Sequence, residues 1–236
     1  MKIKGIDISH WQGSVDFKKV KESGIDFVII KAGGSDAGFY KDKMFETNYR
    51  EAKAAGLSVG AYYFVGKKFY GVVSGVADAE RFAKILEGKE FDYPVFLDVE
   101  TTDARYKELA TDAAIAFCET LEKKGYFVGI YASDISGYRE KLNHERIMDY
   151  THWVARYGKE PEVCTEHMIH QYTSKGSVDG VSGSVDMDIC STDFSKLIKD
   201  KGFNGYKKIV NAAENIIEKS AEKPQKPKKK SKKSEV

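Results

Sequence analysis

Apolar strand-like runs alternate with helical patterns through the first 145 residues, and this rhythm limits the chain to an architecture built on a parallel sheet. Lys4–Ile8 reads as a strand and Val15–Ser23 as a helix with Phe17 and Val20 on one side. Asp26–Ala32 is an apolar strand closed by Gly33 and Gly34. Lys43–Ala55 is helical, with Met44, Tyr49 and Ala52 inward, and Gly56 is a natural stop. Ser58–Val65 is the next strand, and Val73–Leu86 a helix ending near Gly88. Tyr93–Glu100 is a strand, Thr111–Lys124 a helix with Thr111 as its N-cap, Phe127–Ser133 a strand and Ile135–Leu142 a short helix. Then the rhythm changes. His152–Tyr157, His167–Thr173 and Met187–Ser191 are three strands with little helix between them. Eight strands, five of them followed by helices, predict an α/β barrel whose last part is closed by hairpin-like connections. A doubly wound open sheet would need a glycine-rich phosphate loop after the first strand, and Ser9-His10-Trp11-Gln12-Gly13 is not one.

Chemistry enters at Tyr93-Pro94-Val95-Phe96-Leu97-Asp98-Val99-Glu100. Val95, Phe96, Leu97 and Val99 suit a strand buried on both faces. Such a run should stay apolar, yet it closes on two acids. Residues i and i+2 of a strand project to the same side, about 6.6–6.8 Å apart along the chain. Asp98 and Glu100 thus point into one space at the C-terminal mouth of a strand, where parallel α/β folds place their chemistry. Their separation falls in the range that glycosidases use for an acid and its partner carboxylate. An isolated Asp-x-Glu after a strand is more often an N-cap or a solvated loop, so the weight rests on what else shares that face.

In a parallel sheet all strand C-termini share one face. The first strand brings Asp7, the third Tyr62, Tyr63 and Phe64, and the last Asp186 and Asp188. Tyr131, Trp153, Tyr157, Gln171 and Tyr172 sit in the strands between. Acids ringed by aromatics fit a sugar site: aromatic faces stack on the apolar faces of pyranose rings, and carboxylates handle hydroxyls and proton transfer.

The segments Gly5–Gly13, Gly60–Phe64, Phe96–Glu100, Trp153–Tyr157 and Gln171-Tyr172 followed by Gly180–Gly183 and Val185-Asp186 resemble the glycoside hydrolase family 25 lysozymes, or Chalaropsis-type muramidases. The resemblance covers about residues 3–195. It implies a flattened, TIM-like β/α barrel with eight strands and about five helices, and cleavage of the β-1,4 bond between N-acetylmuramic acid and N-acetylglucosamine in peptidoglycan. The family's D-x-E pair falls on Asp98 and Glu100, its N-terminal Asp on Asp7 and its late Asp on Asp186; these are the expected catalytic residues. Tyr62, Tyr63, Phe64, Tyr131, Trp153, Tyr157, Gln171 and Asp188 are the expected substrate contacts. The pattern departs twice. Relatives often read Tyr-His-Phe where this chain has Tyr62-Tyr63-Phe64, and often Asn where it has Asp188, which should add a charge near the site. By the resemblance Glu100 is the general acid, which must hold a proton in a buried setting. Asp98, ionised, stabilises positive charge at the sugar carbon directly or by orienting the substrate's own acetamido group. A glycan-binding module without catalysis would be expected to lose one of these acids, and both are present. A metal-dependent hydrolase would need ligands that the histidines do not offer.

Composition sets the remaining bounds. Forty-two per cent of the 236 residues are apolar, enough for a large core, and no run of eighteen apolar residues offers a membrane span. No apolar signal segment opens the chain, so it is made without one or lacks it here. Cys118, Cys164 and Cys190 are far apart and odd in number, a pattern of reduced thiols. His167 and His170, three apart in a strand-like segment, should lie on opposite faces, and no metal or other cofactor is expected. The net charge of +2 hides an asymmetry: residues 223–236 hold seven lysines and one glutamate, leaving the other 222 residues at −4. The expected organisation is a catalytic barrel over 1–200, a terminal helix or spacer over 201–222 (Tyr206–Ala221 has helical spacing) and a disordered Lys-rich tail over 223–236. The expected partner is cell-wall peptidoglycan, with anionic wall polymers on the tail and neither nucleic acid nor a membrane span. The site of action is the bacterial wall, reached by export or by release as a phage endolysin.

Overall fold

The structure is a computed structural model and describes residues 2–208. Its strands are β1 (Ile3–Ile8), β2 (Phe27–Gly34), β3 (Tyr40–Lys41), β4 (Ser58–Phe64), β5 (Val95–Asp98), β6 (Val128–Ser133), β7 (Thr151–Ala155), β8 (Ile169–Gly176) and β9 (Val185–Cys190). Its α-helices are α1 (Phe17–Glu22), α2 (Phe45–Ala54), α3 (Gly71–Leu86), α4 (Lys107–Glu122) and α5 (Phe194–Lys201). Hydrogen bonds run β1-β9-β8-β7-β6-β5-β4-β2, and β1 pairs with β2 to close the ring into an eight-stranded barrel. The two-residue β3 hangs on the edge of β2. Strands β1, β2 and β4 through β8 are mutually parallel. Strand β9 is antiparallel to both neighbours. The closing hairpin replaces the helical crossovers where the helical pattern gives out after residue 145.

Strand alternation divides the core in two. Outward residues such as Val28, Ile30, Val95, Leu97 and Val99 pack with Phe82 of α3 and Phe117 of α4. Inward residues Phe27, Ile29, Phe96, Trp153 and Ile169 fill the barrel. Strand β5 is therefore apolar on both faces until Asp98, the first inward residue past the packed interior. Helices α3 and α4 touch backbone to backbone: a Cβ on Gly75 would lie 2.1 Å from the Ala113 carbonyl oxygen.

Four differences from the sequence reading have local causes. Helix α4 starts at Lys107 rather than Thr111, because a 3-10 turn over Ala104–Tyr106, capped by Asp103, leads directly into it. Thr111 is inside the helix, donating to the Lys107 carbonyl at 2.8 Å and accepting from the Asn143 N–H at 2.8 Å. The expected helix Ile135–Leu142 is a six-residue π-type turn over Asp134–Arg139. Helix α5 was not expected. Asp193 caps it, Gly202 ends it in the left-handed conformation, and Phe194 and Ile198 join the inner core with Tyr93 and Phe127, which precede β5 and β6. It therefore closes the barrel at the end opposite Asp98. Lys199 and Tyr206 hold it there through Asp92, at 2.8 and 2.7 Å. Burial opposes the charge on Asp92, but Lys199 and Lys53 win and hold its carboxyl down at about 2. Tyr206–Lys208 is not helical; the rest of the expected helix to Ala221, and the tail 223–236, lie outside the described residues. No helix of the described residues is long and apolar enough to cross a membrane.

Candidate active site

The C-terminal mouth of the barrel gathers acids from three strands. Asp7 and Asp186 are direct partners across the antiparallel β1–β9 pair, so their side chains leave the same face. Asp98 sits beside Phe64 of β4 and Tyr131 of β6 in register, and Glu100 follows two residues on. Asp7, Asp98 and Asp188 are buried, Asp186 is half-buried and Glu100 is exposed at the rim. Burial, then the charges of Asp188 and Asp186, hold the Asp7 carboxyl well above the usual range. Burial, then Glu100, do the same for Asp98, whose Oδ1 has no hydrogen-bond partner among the described residues. Asp186 is raised by burial and by Glu100. Mutual repulsion of this kind requires one compact, poorly hydrated space.

A polar relay fixes the inner wall. The Gln171 amide donates to Asp7 Oδ2 at 2.7 Å, and its carbonyl accepts from the hydroxyls of Tyr131 at 2.9 Å and Tyr157 at 3.0 Å. The Trp153 indole N–H donates to Asp188 Oδ1 at 2.8 Å. Asp188 Oδ2 is buried and lacks a hydrogen-bond partner among the described residues. Burial first pushes Asp188 up to about 8. Burial thus opposes the extra charge expected at this position, and in its protonated form Asp188 matches in charge and shape the asparagine that relatives often carry.

The structure separates the remaining sequence candidates. Tyr62 points inward, edge-on to Trp153 with ring centroids 6.0 Å apart. Phe64 lies on the same face, with the Lys31 ammonium 4.2 Å from its ring centre. Tyr63 does not belong with them: it is fully buried on the outer face, packs on Phe82 and Phe117 and donates to Asp78 at 3.2 Å. Three consecutive strand residues cannot share a face, which is why Tyr63 is a core residue. Trp153 is buried as the floor of the mouth, whereas Tyr157 is half exposed beside Glu100 in a cavity of about 410 Å³ that also takes in Tyr131 and Arg156. Glu100 departs from expectation too: the burial meant to keep its proton falls on Asp98 instead. Sequence reasoning missed Lys31, the positive charge that draws Asp98 back toward ionisation. The signal was present, since Lys31 is the only charge between Phe27 and Gly34 in a fully buried strand.

Among the described residues two groups of side chains could hold a metal, and neither reaches the mouth: His144, His152 and Cys164, and Glu160, His167 and His170. The second corrects the expectation that His167 and His170 lie on opposite faces. Strand β8 starts at Ile169, so His167 belongs to the preceding turn, where alternation does not apply, and the two rings approach to 5.5 Å.

The family model for glycosyl hydrolases family 25 matches residues 6–181, which include Asp7, Asp98 and Glu100. The chain belongs to glycosyl hydrolase family 25. It is 35% identical over 187 residues to the autolytic lysozyme of Clostridium acetobutylicum, covering 79% of this chain and 55% of that protein. It is 30% identical over 208 residues to Lysozyme M1 of Streptomyces globisporus, covering 78% of this chain and 66% of that one. The chain thus spans about half to two thirds of the length of these relatives. Among solved structures, the CTP1L endolysin superposes with a TM-score of 0.73 at 32% identity, over 84% of this chain and 70% of that one. The bacterial lysozyme of Streptomyces coelicolor superposes at 0.69 and 28% identity, over 83% and 95%. The eight-stranded barrel expected from the strand–helix rhythm, and from the resemblance to family 25, is the observed fold. Asp186 and Asp188 lie just past the matched segment, on β9.

Proposed function

We propose that the protein is a muramidase that cleaves the β-1,4 bond between N-acetylmuramic acid and N-acetylglucosamine in peptidoglycan. The observation that carries this reading is an exposed acid, Glu100, placed two residues beyond a buried one, Asp98, at the acidic mouth of a family-25 barrel. The names of the similar proteins, an autolytic lysozyme and an endolysin among them, point the same way.

Glu100 stands where solvent and a polysaccharide chain both reach it, and it donates the proton to the glycosidic oxygen. Bond cleavage leaves positive charge at the sugar carbon. Asp98 faces that carbon from the same mouth; burial and Glu100 oppose its charge and Lys31 favours it, and the ionised carboxylate stabilises the positive charge as it develops. Asp7, Asp186 and Asp188 hold the acidic lining, and Gln171 orients Asp7. Tyr62, Phe64, Tyr131 and Tyr157 line the sugar path. The barrel, with α5 and Tyr206 packed on it, is the catalytic unit, and the lysines of 223–236 attract anionic wall polymers. The site of action is the bacterial cell wall.

The test is clearing of a suspension of purified peptidoglycan, followed by analysis of the new reducing ends. N-acetylmuramic acid at those ends is the expected result. N-acetylglucosamine ends would reassign the bond, and free amines without new reducing ends would reassign the reaction class.

A further inference from the structure

A cavity of about 590 Å³, larger than the one beside Glu100, lies on the outer face of β8 and β9, where no crossover helix among the described residues covers the sheet. Glu160, His167 and His170 all line it. One ligand atom from each of the three lies within 4.8 Å of the others. The His170 Nδ1 is 3.9 Å from a Glu160 carboxylate oxygen.

The ring nitrogens that face away from this cluster are already committed. His167 Nδ1 is 2.8 Å from the Cys164 carbonyl oxygen, and His170 Nε2 is 2.8 Å from the Arg156 carbonyl oxygen. A carbonyl only accepts, so each of those nitrogens carries the hydrogen. In the neutral ring the lone pair then sits on the other nitrogen, His167 Nε2 and His170 Nδ1. That is the arrangement metal-binding histidines use: one nitrogen donated to a backbone carbonyl, the other free for the ion.

The loop carrying Glu160 and His167 is also held. Asp134 accepts from the N–H groups of Glu162, Val163 and Cys164 at 2.9–3.0 Å, and Arg156 bridges Asp134 and Glu162 at 3.4 and 3.2 Å. Tetrahedral ligands on one ion stand about 3.3 Å apart, from bond lengths near 2.0–2.2 Å. The exposed Glu160 side chain has the freedom to close that gap.

We propose that Glu160, His167 and His170 bind a divalent transition metal of the zinc class, with a fourth position open to the cavity. The donor set of two imidazoles and one carboxylate selects zinc over magnesium or calcium, which want oxygen ligands. Lys2 and Lys159, which also line the cavity, are exposed, so water screens their charge. The ion ties the β7–β8 loop to the outer face of the strand whose inner face carries Gln171. The neighbouring His144, His152 and Cys164 are the competing ligands, and the test separates the two groups.

Titration calorimetry of the untagged full chain with zinc chloride should show one saturable site in the micromolar range or tighter, with none for magnesium or calcium. The double variant His167→Asn, His170→Gln keeps both hydrogen bonds to the carbonyls, because the Asn amide replaces Nδ1 and the Gln amide replaces Nε2, while removing both lone pairs. It should lose the site with its circular dichroism unchanged. Cys164→Ser should keep it, and the cobalt-loaded protein should lack the thiolate charge-transfer band. The absence of saturable zinc binding, its survival in the double variant, or its loss on Cys164→Ser would each overturn the proposal.

Discussion

Lys31 and Asp188 show how burial sets the chemistry of single groups at the mouth. Lys31 lowers what burial and Glu100 raise in Asp98. Lys31→Met keeps the methylene packing against Phe64 and removes the charge, so Asp98 holds its proton to higher pH. If Asp98 must ionise during turnover, the acid limb of the activity–pH profile moves to higher pH; an unmoved limb would show that Lys31 does not act on it. Asp188 gives a stability prediction. In the unfolded chain its carboxyl titrates near ~3.9, and in the fold at about 8. Between those values the folded state keeps a proton the unfolded state has released, so stability falls as pH rises. Asp188→Asn stays neutral, accepts from Trp153 and offers its amide to Asp7. Its melting temperature should gain on the parent's from pH 4 to 8; parallel melting–pH curves would contradict the shift. The acids themselves were legible in the sequence because charge is conspicuous at the end of an apolar strand. Tyr63 was misplaced because three aromatics in a row conceal alternation, and Lys31 was passed over because a lone lysine in a strand carries no motif.

Elements were read well where periodicity decides them and poorly where a tertiary contact does. The parallel strands and α2 and α3 follow their apolar patterns. Helix α5 is eight residues long, and it is fixed by its caps, by Phe194 and Ile198 against the barrel floor and by Lys199 on Asp92. Those partners are remote in sequence, so no local pattern announces them. The packing of α3 on α4 offers a sign test. In an exposed helix, Gly→Ala stabilises by about 1 kcal/mol. At Gly75 the new methyl meets the Ala113 carbonyl at 2.1 Å, and backbone cannot step aside. Gly75→Ala should therefore destabilise by roughly 1–3 kcal/mol, the usual cost of overpacking, read as a lower midpoint in urea. A stabilised variant would show that the two helices are not in backbone contact.

At the scale of the whole molecule, the strand–helix rhythm made the barrel legible and the strand-end rule placed the acids at one mouth. The same rule makes no reference to the outer face of β8, where the two histidines meet. The charge asymmetry of the chain yields a separate expectation. The +6 carried by residues 223–236 should attract anionic wall polymers through a force that salt screens. Deleting those residues should weaken low-salt binding to intact walls and leave cleavage of soluble fragments unchanged; unchanged wall binding would remove the electrostatic role. The central claim is that Glu100 supplies the proton that breaks the glycosidic bond. Glu100→Gln keeps the shape and reach of the side chain and cannot donate that proton. Because the side chain is exposed, the fold should not notice the change, and circular dichroism checks that it does not. The deciding measurement is the rate at which the purified variant releases N-acetylmuramic acid reducing ends from peptidoglycan. The expected result is a loss of about 10²–10⁴-fold relative to the parent, the usual contribution of a general acid. A folded Glu100→Gln protein that keeps most of the parent's rate would contradict the assignment.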